Sequence, residues 1–74
     1  MSVATVAFWH GEEGWGGIEA PDRPGVGFVS CMQVRIDGLR DLVLGEPVEY
    51  EWGDDNGQDG CDWRVAWVRP TDRT

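Results

Sequence analysis

Lysine is absent from this chain. All six positive charges are arginine, set against fourteen Asp and Glu, for a net charge of −8. Most non-specific affinity for nucleic acid comes from basic side chains displacing counterions, so this balance excludes a strong, indiscriminate phosphate binder. It equally disfavours an anionic membrane surface. It fits solubility or a basic protein partner. Cysteine is scarce, and Cys31 and Cys61 form neither a CxxC pair nor a cluster with the single histidine, His10. No metal site is therefore expected, and no cofactor motif is present. Long apolar runs are missing too. Nothing approaches the roughly 20 residues of a membrane span, and the start Met1-Ser2-Val3-Ala4-Thr5 lacks the basic and apolar regions of a signal peptide. The expectation is a cytoplasmic protein with reduced thiols and no membrane partner.

Seventy-four residues suffice for one small domain, near the lower limit for a core without staples. A deep, water-excluding cleft is out of reach at that size, and no nucleophile or acid accompanies His10 at a recognisable spacing. The chain is expected to bind or interact rather than to catalyse. We place the domain at residues 1–70, with 71–74 as a tail.

Eleven glycines and four prolines break the sequence into short pieces, which excludes long helices. What remains is rich in valine and aromatics and reads as strands. These run from about Val3 to His10, Trp15 to Glu19, Val26 to Ser30, Val48 to Trp52 and Trp63 to Val68. Val48, Tyr50 and Trp52 alternate with Glu49 and Glu51, which predicts an inward apolar face for these three. Gly16 and Gly17 inside a strand predict a sharp bend or a close backbone approach. Cys31–Leu44 is irregular, with one short helical turn or an extended connection. The loop Asp54–Asp62 is acidic but lacks the spacing of a calcium loop, so it is expected to be solvated. Five short strands with one irregular insertion predict an all-β, five-stranded antiparallel barrel.

Five tryptophans are many for this length, and they supply either core volume or stacking surface. Their context carries a family resemblance. Phe8-Trp9-His10-Gly11-Glu12-Glu13-Gly14-Trp15-Gly16-Gly17-Ile18 resembles the cold-shock signature K-W-F-N-x-x-K-G-F-G-F-I, with the first aromatic pair reversed. Gly27-Phe28-Val29-Ser30-Cys31 resembles its second motif, V-F-V-H-F. Leu39 to Tyr50 resembles F-K-S-L-x-x-G-Q-x-V-x-F, and Val65-Ala66-Trp67-Val68 resembles the closing A-A-N-V. The pieces occur in the family's order over nearly the whole chain.

The resemblance to the cold-shock domains of small bacterial proteins implies a barrel of the oligonucleotide-binding type. It also implies single-stranded RNA or DNA as partner, with bases stacked on aromatics of the second and third strands beside lysines. Carried over by residue, Phe8, Trp15 and Phe28 keep rings at stacking positions. Trp9 takes an inward role. Other family rings are replaced by Gly17, Cys31 and Leu39, the histidine by Ser30, and the two lysines by Ala7 and Glu13. A stacking ring is worth about 1–3 kcal/mol per base, so these losses imply weakened or narrowed binding.

The last strand leaves two directions open. If Ala66 and Val68 face the core, as the resemblance implies, then Trp63, Val65 and Trp67 form an exposed apolar stripe fit for a protein partner or self-association. A register shifted by one residue puts those tryptophans in the core instead. Two functions from different classes follow. One is a single-stranded nucleic-acid binder using Phe8, Trp15 and Phe28. The other is an acidic protein-interaction module using Trp63, Val65 and Trp67.

Overall fold

A computed structural model describes residues 2–38 and 40–72; Leu39 and the last two residues of the expected tail lie outside them. Five strands form a closed barrel: β1 (Ser2–His10), β2 (Trp15–Ala20), β3 (Arg23–Ser30), β4 (Pro47–Asp54) and β5 (Trp63–Pro70), in the order β1-β2-β3-β5-β4. All five predicted strands are present. The expectation of a wholly antiparallel barrel needs one correction, because β3 and β5 pair in parallel, through Gly27↔Trp63 and Phe28↔Arg64. β3 also begins earlier than expected. Only Pro21 and Asp22 turn the chain, and Arg23 already pairs with Ala20.

The inward residues make one core. Val6, Ile18, Val29, Val34, Leu42, Val48, Tyr50, Trp63, Val65 and Val68 are all buried there, and Trp9 packs against it from one end. Two features hold Trp9 inward. Its indole Nε1 donates to Asp41 Oδ1 at 3.1 Å, and its ring lies over Gly16, where any side chain would collide with it. Between β3 and β4 the chain makes a 3-10 turn, Cys31–Gln33, after Ser30. Ser30 Oγ accepts from the Met32 amide, and Gln33 Oε1 accepts from the Ser30 amide. Gln33 Nε2 then donates to the Val65 carbonyl, tying this turn to β5.

The strand faces are not set by simple alternation, because extra residues interrupt it. In β1, Val6 pairs with Ile18 and Phe8 with Gly17, so Ala7 has no partner in β2. In β5, Trp67 pairs with Glu51 and Val65 with Trp52, so Ala66 is extra there. Such bulges reverse the side-chain phase beyond them. Val68 therefore faces inward on one side of Ala66, while Trp63 and Val65 face inward on the other. The exposed stripe expected from Trp63, Val65 and Trp67 is thereby corrected. Trp63 and Val65 are 3% and 1% exposed. Trp67 alone stays at the surface, half-buried, donating to Glu51 Oε2 beneath the Arg35 guanidinium.

Trp52 corrects the opposite expectation. Tyr50 is buried, but Trp52 is 39% exposed. Register shifts on both sides of it carry β4 away from the core, and Arg23 lies 4.7 Å over its ring at the barrel rim. The cysteines are free. Burial and the neighbouring Asp62 and Asp59 push the Cys61 thiol above its ordinary value, which disfavours its reactive thiolate.

Two polar bonds tie β1 and β4 to the turn between β2 and β3. Tyr50 Oη donates to Asp22 Oδ1 at 2.8 Å, and Ser2 Oγ donates to Asp22 Oδ2 at 3.3 Å. The bond from Tyr50 holds the Asp22 carboxyl below its usual range, while burial, then Asp22 itself, pushes the Tyr50 phenol up. A depressed carboxyl contributes stability above its unfolded pKa of about 4 and loses it as the pH falls through the folded value. The raised phenol contributes below about pH 10 and loses it as the pH rises through its folded value. Asp22→Asn is expected to lower the urea midpoint at pH 7 and to flatten its fall between pH 5 and 2. A fall as steep as that of the unmodified chain would show that Asp22 does not carry this dependence.

Candidate nucleic-acid interface

The outer face of β1, β2 and β3 carries a cluster of rings. Cross-strand pairing sets two rows: His10–Trp15–Ser30, and next to it Phe8–Gly17–Phe28. The bulge at Ala7 is what brings Phe8 onto this face beside His10, two residues on. Four rings then touch. Trp15 and Phe28 stack at 5.6 Å with planes 24° apart. Phe8 meets Trp15 edge-on at 5.6 Å, and His10 lies 4.8 Å from Trp15 and 5.2 Å from Phe8. The sequence-predicted Phe8, Trp15 and Phe28 are thus brought together on one surface.

Phe28 is only 6% exposed, yet it is no part of the core cluster. It is covered from outside, with Trp15 stacked on it. Gly17 shows why the patch is continuous. A Cβ there would lie 2.6 Å from Phe8 Cε1 and 2.6 Å from Val26 Cγ1. The space of the missing ring has been taken up by Phe8 and Val26. The loss of that side chain therefore leaves no hole, and the remaining rings merge into one patch instead of standing apart.

His10 belongs to this patch too, although the sequence reading gave it no part in the stacking surface. The signal that could have found it is its strand spacing, two residues from Phe8 and directly opposite Trp15 across the Glu-Glu turn. The surroundings are acidic: Glu12, Glu13 and Glu19 are all exposed. Positive charge enters from β5. Phe28 pairs with Arg64, which extends the second row to Phe8–Gly17–Phe28–Arg64. Arg64 is engaged by Asp54: its Nε donates to both carboxylate oxygens at 3.0 Å, and Nη2 lies 2.9 Å from Oδ2. Those bonds, with one from the Asn56 amide, hold the Asp54 carboxyl below its ordinary range.

The acidic loop after β4 is structural in its contacts. Asp54 accepts from Asn56 and Arg64, and Asp62 Oδ2 accepts from the Val26 amide at 2.9 Å. Among the described residues no three His, Cys, Asp or Glu side chains gather in a way that would hold a metal ion. No helix among them is long and apolar enough to cross a membrane. The surface that stands out chemically is the ring patch with Arg64 at its margin. No protein-family model matches the chain, and no curated protein matches it.

Proposed function

We propose that the barrel binds single-stranded RNA or DNA on the outer face of β1–β3, by stacking bases on Phe8, His10 and Trp15, with the buried Phe28 ring as the support beneath Trp15. The observation that supports this most directly is the contact of Trp15 with the other three rings on one accessible sheet face. Aromatic patches on sheets suit single strands because every base offers a π-face, whatever its sequence. The ordered resemblance to cold-shock domains points the same way. Fewer rings and no lysines give a weaker and shorter site than that family's pattern implies. A footprint of about two or three bases matches what sheet-borne rings hold in other single-strand binders.

The expected acidic interaction module has lost its main support, because Trp63 and Val65 are core residues. The nucleic-acid reading is tested by fluorescence anisotropy of labelled oligo-dT and oligo-U at low salt. Binding in the micromolar range is expected, with Trp15→Ala weakening it about tenfold or more. No anisotropy change up to high micromolar protein, or an unchanged affinity in Trp15→Ala, would overturn the assignment.

A further inference from the structure

We infer that Arg64 is the phosphate-binding residue of the ring face, and that Asp54 masks it until a nucleic-acid phosphate takes the carboxylate's place. The inference rests on the proposed function and adds to it a residue and a means of control. Two observations converge. Register places Arg64 directly beside Phe28, one strand beyond the rings, at the ordinary sheet spacing of about 4.8 Å. A phosphate attached to a base stacked on Trp15, which covers Phe28, falls within reach of a side chain so placed. The other arginines that the structure engages are used elsewhere: Arg23 lies over Trp52, Arg35 lies over Trp67, and Arg69 pairs with Glu49.

The chemistry of the exchange is simple. A guanidinium presents the same fork to a carboxylate and to a phosphate, so a phosphate oxygen pair can replace the Asp54 oxygens. The Arg64 and Asp54 side chains are 44% and 37% exposed. An ion pair that wet is weak in water and is displaced at small cost. Asp54 keeps its bond from the Asn56 amide, which holds the carboxylate in its loop after release. In an acidic chain, this masks an arginine paired with the ring face from incidental anions. It favours a ligand that brings a stacking base and a phosphate together.

The test is anisotropy titration of labelled oligo-dT with the full chain at low and moderate salt. Asp54→Asn and Asp54→Ala are expected to bind about three- to tenfold more tightly than the unmodified chain. The salt dependence should keep its slope in these variants and flatten by about 0.7 in log–log slope in Arg64→Ala, the value of one lost phosphate contact on a single strand. Arg64→Ala should bind more weakly, and Asp54→Ala should confer no gain on it. Glu49→Gln is the matched control. It removes the same charge and frees Arg69, but at β4 opposite Val3, at the other end of β1 from Phe8. Its gain should stay below about twofold.

Equal tightening by Glu49→Gln would reduce the effect to net charge and overturn the inference. So would an unchanged affinity in both Asp54 variants, or a full gain from Asp54→Ala on top of Arg64→Ala. Binding that Trp15→Ala weakens but Asp54 variants leave alone would overturn only the role of Arg64. Absence of binding by every variant would overturn the proposed function as well.

Discussion

Trp63→Ala is expected to remove most of the stability of this barrel. The indole is buried and lies against Tyr50, with ring centroids 5.4 Å apart. It fills the space above Gly27, where even a Cβ would come within 2.4 Å of it. Its Nε1 donates to the Pro24 carbonyl at 3.1 Å. Truncating a buried aromatic to alanine costs about 3–5 kcal/mol, with the cavity as the larger part where the walls cannot collapse. These walls are strands held by their ladders on both sides, so collapse is limited. A chain of this length has a total stability of about 4–11 kcal/mol. The variant should therefore lose at least about 2 M from its urea midpoint, or be partly unfolded in water. Trp63→Phe retains most of the volume and leaves only the Pro24 carbonyl without its donor, so it should cost about 1–2 kcal/mol. A Trp63→Ala midpoint within about 0.5 M of the unmodified chain would mean that the side chain is not the core residue described above.

Gly16→Ala is expected to have the second largest effect, for the opposite reason. Here the change adds an atom where there is no room. A Cβ at Gly16 would lie 2.4 Å from the Phe8 carbonyl oxygen, 2.4 Å from Trp9 Cε3 and 3.0 Å from Trp9 Cα. Two of these three atoms are backbone, so a rotamer change cannot relieve the clash. Trp9 would also have to leave its seat against the core and its bond to Asp41. Overpacking of this kind costs about 1–3 kcal/mol, and the backbone contacts put this site at the upper end. Gly16 lies between the Phe8–Gly17 and His10–Trp15 pairs, so the same displacement should also disturb the ring patch. Gly11→Ala is the comparison. A Cβ there meets nothing nearer than 3.8 Å, so its midpoint should stay within the ordinary surface range of about 0.5 kcal/mol. Equal effects at the two positions would contradict the close approach of Trp9 to Gly16.

Much of this architecture can be read from the residues. Turn-forming glycines between valine- and aromatic-rich segments mark all five strands. The resemblance to cold-shock motifs, carried over by residue, marks Phe8, Trp15 and Phe28 as members of the ring patch. What escapes is the phase. An inserted residue reverses which side chains point inward, and nothing in the identity of Ala7 or Ala66 announces a bulge. For β5, each of the two open directions is correct for one part of the strand. Val68 is inward as the resemblance implies, while Trp63 and Val65 are inward as the shifted register requires. Trp52 fails for a related reason, since the alternation that places Tyr50 correctly ends where the register shifts. The parallel β3–β5 pairing and the nearness of Arg64 to Phe28 are long-range consequences of closure. No local pattern encodes them.

That closure has a bearing on how folding and binding are linked. β1–β2, β2–β3 and β4–β5 join strands that follow one another along the chain, whereas β3–β5 brings Phe28 to a residue far beyond it in sequence. Such a contact carries a loop-closure cost that local pairings escape, so it is formed at the expense of chain entropy already limited by the hairpins. The rings come from the first three strands and Arg64 from the last, so the two halves of the proposed interface are assembled only when the barrel shuts. A ligand that spans both halves has no counterpart surface in the open chain. Its free energy of association is then added to that of the native state, in proportion to the logarithm of its concentration above the dissociation constant. For a domain of this size, nucleic acid would act as a fastener as well as a cargo.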